Sequence, residues 1–256
     1  LPVEEVEALN AGTSGWHRIL NDILNAELNI RRFIKAGEKH GAIGVLNTDW
    51  GDHGHYNVLA GSLHGVALGA ALAWNVDDPD QEEFDRIWST HTFKDGQDVL
   101  AAWKDLGETI LDKLTWDYLY HSWDSDIYTK DRWGQTADRE FAEELQKRGE
   151  KMAREIENPQ LGGEVWIREE LHHAAEDLAL LGEKIELIFD LKENEGATNP
   201  ELAKRLRQWA DKAERLYTEY EKLWRRNSKE SDLADIREKM TALIEEARDK
   251  AEALDE

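Results

Sequence analysis

Between Gly44 and Tyr56 the chain reads GVLNTDWGDHGHY, an apolar run that stops at a cluster of groups suited to holding a polyol. Asp49 and Asp52 are carboxylates that can each accept a pair of sugar hydroxyls. Trp50 offers a flat face to the C–H side of a pyranose, and His53, His55 and Tyr56 follow within the same short loop. Gly51 and Gly54 let the backbone turn tightly without a Cβ clash. Asp49, Asp52, His53 and His55 are also ligand types for zinc or another divalent cation. Their crowding and the absence of a fixed helical spacing argue against a closed tetrahedral site, so neither a metal nor another cofactor is expected. The competing structural role for the carboxylates is to cap a helix or accept backbone N–H groups.

The elements that must position this loop are read from periodicity. Val3 to Leu9 and Ile43 to Leu46 are short strand candidates, separated by an amphipathic helix over His17 to His40 whose apolar face carries Ile19, Ile23, Leu24, Ile30, Phe33 and Ile34. That order predicts a βαβ unit with a right-handed crossover between parallel strands. Polar and aromatic groups follow both strands: Thr13, Ser14 and Trp16 after the first, Asp49, Trp50 and Asp52 after the second. The C-terminal ends of strands are where (β/α)8 enzymes assemble their sites. Trp16, Asp49, Trp50, Asp52, His55 and Tyr56 are therefore expected to converge on one concave, substrate-binding surface. Two parallel strands cannot satisfy both edges, so the unit needs further strands, a covering helical part or another chain. Leu59 to Trp74 is small and apolar, and its Gly61, Gly65 and Gly69 suit a helix packed closely on another surface. Ser62 and His64 speak against a membrane span.

After Pro79 the pattern is almost wholly helical. Asp78-Pro79 and Asn199-Pro200 are start signals, Gly162-Gly163 and Glu195-Gly196 are breaks, and about five helices are expected. Leu171, Leu178, Leu181, Ile185 and Ile188 form one buried stripe. Leu202, Leu206, Trp209, Leu216, Tyr220 and Leu223 form another. Trp103, Trp116, Trp123, Trp133 and Trp166 are assigned to the core, and His172-His173 to a surface or packing role. The expected fold is mainly α with a small α/β part: residues 1–78 as the last βαβ unit of a (β/α)8 barrel, and residues 79–256 as a C-terminal helical bundle.

A formal charge of −23, from 55 acidic against 32 basic residues, repels phosphate backbones and anionic lipid, so neither nucleic acid nor a membrane is an expected partner. The 256 residues contain no cysteine, which removes disulfide and thiolate chemistry and permits a reducing compartment such as the cytoplasm. No apolar run approaches a membrane span, and the opening LPVEEVEALN lacks the regions of a signal peptide.

Three segments, Gly12-Thr13-Ser14-Gly15-Trp16, Thr48-Asp49-Trp50-Gly51-Asp52 with Gly54-His55, and Gly69-Ala70-Ala71 through Trp74-Asn75, resemble bacterial β-N-acetylhexosaminidase-like proteins of glycoside hydrolase family 20. Leu223 to Asn227 is similar to the helical tail of those proteins. The resemblance implies that the two strands are the seventh and eighth of the barrel and that Leu59 to Trp74 is its final helix. It places Trp50 and Asp52 at the family's Trp-Gly-Glu position, where Trp walls the sugar pocket and the carboxylate binds outer hydroxyls. The family's catalytic Asp-Glu pair has no counterpart here, because the only Asp-Glu dipeptide is Asp255-Glu256, and no catalytic residue is assigned. The implied activity, in the intact protein, is retaining, substrate-assisted hydrolysis of terminal β-linked N-acetylhexosamine. The implied partners are an amino-sugar glycoside or oligosaccharide and the N-terminal barrel portion or another chain. A noncatalytic carbohydrate- or protein-binding module is the alternative.

Overall fold

The computed structural model describes residues 12–51, 55–75, 80–94, 96–111, 113, 115–125, 137–194 and 197–255. Their regular structure is helical throughout: α1 (Ile23–Lys39), α2 (Leu59–Trp74), α3 (Gln81–Phe93), α4 (Gln97–Ile110), α5 (Thr115–Tyr120), α6 (Arg139–Ile156), α7 (Val165–Glu193), α8 (Pro200–Asn227) and α9 (Leu233–Ala253). None of these helices is long and apolar enough to cross a membrane.

The described residues contain no strand and no sheet, which corrects the expectation of a βαβ unit from a (β/α)8 barrel. Val3 to Leu9 lies outside the described residues. Ile43 to Leu46 is irregular chain, with Ile43 fully exposed and Leu46 78% exposed. One isolated parallel bridge, Gly12 to Thr48, is all the sheet-like pairing seen in the described residues. The physical reason is that an apolar run states a preference for burial, whereas a strand exists only when a neighbour takes its N–H and C=O groups. The helix expected from His17 begins at Ile23, because Asp22 caps it by accepting the Asn25 N–H at 3.0 Å and His17 adopts a left-handed φ of 54°.

Seven helices, α3 to α9, occupy the region where about five are expected, since the chain also breaks at Gly96 and around α5. The break at Gly162-Gly163 is present, with Gly163 at φ 78°. Asn199 caps α8 through the Leu202 N–H at 3.1 Å, with Pro200 in the first turn. Asp78-Pro79 and Glu195-Gly196 lie outside the described residues; α3 is capped by Asp80.

The 29-residue α7, about 44 Å long, is the spine. It packs on α6, α8, α2 and α5, and its stripe of Leu171, Leu178, Leu181, Ile185 and Ile188 is fully buried, as is that of α8. Glycine sets the α6–α7 spacing. A Cβ on Gly149 would lie 2.7 Å from the Ala175 carbonyl oxygen, and one on Gly182 would lie 2.5 Å from that of Ala142. Trp103, Trp116 and Trp123 are core residues, Trp166 is half-buried, and Trp133 lies outside the described residues. One hydrophobic cluster runs from Ile19 to Ala251.

Candidate functional site

The segment 12–22 and the described residues 47–51 and 55–58 lie against α2, and its three glycines are what let them approach. A Cβ on Gly61 would meet Asn21 Oδ1 at 2.6 Å, one on Gly65 would meet the Thr13 side chain at 3.3 Å, and one on Gly69 would collide with Asn47. The glycine stripe thus packs largely on polar loops, with Ile30 of α1 also 3.5 Å from the Gly65 position. With the helix backbone this close, loop side chains must satisfy one another. Asn21 Nδ2 donates to the Thr13 carbonyl at 2.9 Å and to Ser62 Oγ at 3.0 Å, and Asn57 Nδ2 donates to Asn21 Oδ1 at 3.2 Å. Asn47 Nδ2 donates to the Gly65 carbonyl at 2.9 Å.

Asp49 ends this network. Its Oδ1 accepts a short hydrogen bond from Thr13 Oγ1, and its Oδ2 accepts from Ser62 Oγ at 2.7 Å, yet the residue stays exposed. The Thr13 N–H donates to the Thr48 carbonyl at 2.9 Å beside the Gly12–Thr48 bridge, and the half-buried Trp16 ring packs over Gly12. Trp50, adjacent in sequence, is 59% exposed. Among the described non-glycine residues, Ser14, His17, His55 and Lys94 have positive φ, so three of the four lie in these two segments. Such backbone costs on the order of 1–3 kcal/mol per residue and persists only where surrounding contacts dictate it.

The sequence-predicted set therefore divides. Trp16, Asp49 and Trp50 come together around the bridge. His55 folds over Gly51 and turns toward a 120 Å³ cavity that it shares with Glu170, Trp224 and Asn227. Tyr56 belongs to the core, which corrects its assignment to the sugar-facing surface. It is 2% exposed, stacked between Trp116 at 4.2 Å and Tyr220 at 4.3 Å, and its hydroxyl donates to Asp177 Oδ2 at 2.6 Å. Burial pushes the Tyr56 phenol well above its ordinary range, and the Asp177 carboxylate adds to the shift. Asp52 and His53 lie outside the described residues.

A row of polar residues on α7 holds the loop region to the bundle, and sequence reasoning missed it. Glu170 accepts the Ala60 N–H at the start of α2 at 2.8 Å and the Asn227 amide at 2.6 Å; burial pushes its carboxyl up. Asp177 receives Tyr56. Lys184 donates to the carbonyls of Leu119 at 2.7 Å and His121 at 2.5 Å, closing the C-terminal end of α5. Burial lowers the Lys184 ammonium to about 7, opposed by Glu246. The available signal was spacing. Residues 170, 173, 177 and 184 recur on one side of the helix, flanking the leucine stripe, where a solvated face would not run so far.

One group among the described residues has metal-ligand character: Glu27, His64 and Asp85, whose ligand atoms lie within 4.8 Å of one another. Lys104 already takes the cation's place. Its Nζ is 2.6 Å from Glu27 and is hydrogen-bonded to Asp85, while His64 Nε2 lies 3.1 Å from Asp85 Oδ1. Burial pushes the Glu27 carboxyl up. For Asp85, burial pushes upward too, but hydrogen bonds from His64 and Lys104 outweigh it and hold the carboxyl low. With His64 sealed among Phe84, Trp88 and Trp103, the group works as a charge-balanced staple joining α1, α2, α3 and α4.

Neither the family models nor the curated proteins compared with the chain give a match.

Proposed function

We propose that this chain supplies the sugar-facing portion of a glycoside hydrolase acting on terminal β-linked N-acetylhexosamine, by a substrate-assisted retaining route in the intact protein. The reading rests on the resemblance carried by Gly12 to Trp16 and Thr48 to His55. One observation supports it: these two segments lie side by side, with Asp49 fixed between them and still exposed, and Trp50 open beside it. Each Asp49 oxygen keeps a second lone pair after accepting a protein hydroxyl, and a sugar hydroxyl can use it. Trp50 offers the apolar face that a pyranose ring stacks on. Because Asp49 serves as an acceptor, it is not placed as the general acid, which in this reading comes from further protein. Ile43, Leu46 and Trp74 are apolar surface that such protein would cover.

The test is a titration with N-acetylglucosamine, followed through tryptophan indole NMR signals, with glucose as control. Binding in the mM range is expected for one exposed subsite, about −4 kcal/mol, with the Trp50 indole shifting and Trp50→Ala abolishing the effect. Unperturbed indoles at about 50 mM sugar, roughly tenfold above such an affinity, or undiminished binding by the Trp50→Ala variant, would overturn the proposal. A chromogenic β-N-acetylglucosaminide should remain uncleaved by this chain; robust turnover would show that an acid is already present.

A further inference from the structure

Away from those loops, α6, α7 and α8 enclose a cavity of about 420 Å³, within the range of small-molecule sites. The buried Ile156 and Leu223 and the exposed Val165 give it an apolar lining beside charged groups. The charges are not equivalent. Each lining carboxylate has a protein cation: Glu157 lies 3.3 Å from His172, Glu219 lies 3.3 Å from Arg215, and Glu169 pairs with Arg226. Two lining cations have no carboxylate partner among the described residues. Arg168 makes only a 3.3 Å bond from Nη1 to the Leu161 carbonyl, and its Nε is buried without a partner. Lys222 is exposed at the rim.

His173 is 98% buried, with 2% of its surface exposed, and lines the cavity. Its Nε2 lies 3.1 Å from Asp177 but out of line for a hydrogen bond, and its Nδ1 has no partner. Both ring nitrogens are sealed from solvent, so the imidazole offers the cavity a flat carbon edge on which an apolar body can pack. In a chain of net charge −23, two uncommitted cations beside an apolar lining select for an anion with an apolar body.

We propose that this cavity binds a small organic acid, its carboxylate held by Arg168 and Lys222, its hydrocarbon body on Ile156, Val165 and Leu223, and its inner end against His173. Arg168 presents a planar fork that matches a carboxylate, and Lys222 adds a mobile charge at the entrance. The site is separate from the proposed sugar-facing loops, and its ligand is neither a sugar nor a metal.

The test uses hexanoate as the probe, with hexanol as the uncharged analogue and acetate as the analogue lacking the body, each titrated into the full chain by calorimetry and by NMR of the His173 ring. Hexanoate is expected to bind at least ~10-fold more tightly than either analogue and to shift the His173 resonances. Arg168→Gln should weaken hexanoate by ~10-fold or more, and Lys222→Gln by a smaller factor, while Lys147→Gln, on α6 and outside the cavity lining, should leave it unchanged. Lys222 is exposed, so its variant keeps the test informative if Arg168→Gln unfolds. Equal affinity for hexanol and hexanoate, insensitivity to both substitutions, or no binding of hexanoate would each overturn the proposal.

Discussion

The loop region on α2 and the bundle of α6 to α9 are held by opposite means. In the bundle, long apolar stripes repeat at helical spacing, so each contact is one of many similar ones. In the loop region, few side chains carry the structure and each has a specific partner: Thr13 and Ser62 on Asp49, Asn21 on Thr13 and Ser62, Tyr56 on Asp177. Apolar packing tolerates exchange among residues of similar volume, whereas a buried polar network costs heavily when one member is lost. The bundle should therefore fail only where its spacing is fixed by glycine, and the loops should fail at single hydrogen bonds.

The largest effect is expected at the glycine contact. Gly182→Leu places a side chain where even a Cβ would lie 2.5 Å from the Ala142 carbonyl oxygen. It should lower the unfolding free energy by about 3 kcal/mol or more in urea titrations. A loss below about 1 kcal/mol would mean that α6 and α7 separate easily, and the contrast between the regions would weaken.

Next comes Tyr56→Phe, which keeps both ring stacks but removes the one hydroxyl that, among the described residues, donates to the buried Asp177. The expected cost is about 2 kcal/mol, because a carboxylate with 1% exposure is left short of a donor. Neutral behaviour would show that apolar packing alone holds the loop.

The third effect is a pH dependence. Burial lowers the Lys184 ammonium to about 7, so between that pH and its ordinary value near 10.5 the unfolded chain binds a proton that the folded chain has released. Lys184 should accordingly contribute a rise in stability of about 2 kcal/mol from pH 7 to 9, offset in part by His172 and His173, whose pKa the folded state raises so that their contribution falls as pH rises. Lys184→Met should flatten that rise. Above about pH 10 the trend should reverse, since Tyr56 and Tyr220, both raised by burial, keep protons that the unfolded chain loses. A wild-type curve with the same slope from pH 7 to 9 as the Lys184→Met curve would count against a neutralised Lys184.

The smallest expected effect is that of Ser62→Ala, which removes one of two hydroxyls from the exposed Asp49 and should cost about 1 kcal/mol. Its value lies in the comparison with N-acetylglucosamine binding: a shifted Trp50 response without a large stability change would locate Asp49 at the sugar, and a stability change alone would make it a loop anchor.

How far the sequence reads ahead depends on the range of the interaction. The stripes on α7 and α8, the Asn199-Pro200 cap and the Gly162-Gly163 break follow from helical period and chain stereochemistry, so they were legible residue by residue. The close packing of Gly61, Gly65 and Gly69 was legible too, but not that its partners are Asn21, Thr13 and Asn47. Trp16, Asp49 and Trp50 were grouped as residues following two parallel strands, whereas an isolated Gly12–Thr48 bridge is what joins their segments. Tyr56 carries the same signal and turns inward, because Trp116 and Tyr220 complete a stack that lies 60 and 164 residues away along the chain.

By itself, then, the sequence determined the net charge, the helical period after Pro79, the faces of α7 and α8 that are buried and part of the punctuation between the helices. Each depends on residues within a few turns of one another or on composition alone. Only the tertiary structure decided that Ile43 to Leu46 is irregular, with no partner strand among the described residues, that Lys104 fills the space between Glu27 and Asp85, and that Glu170, Asp177 and Lys184 hold other segments from inside the core while Arg168 lines a cavity. The reason is common to all of them: a strand edge, a buried charge or a cavity is defined by what stands opposite it, and that group belongs to a distant part of the chain.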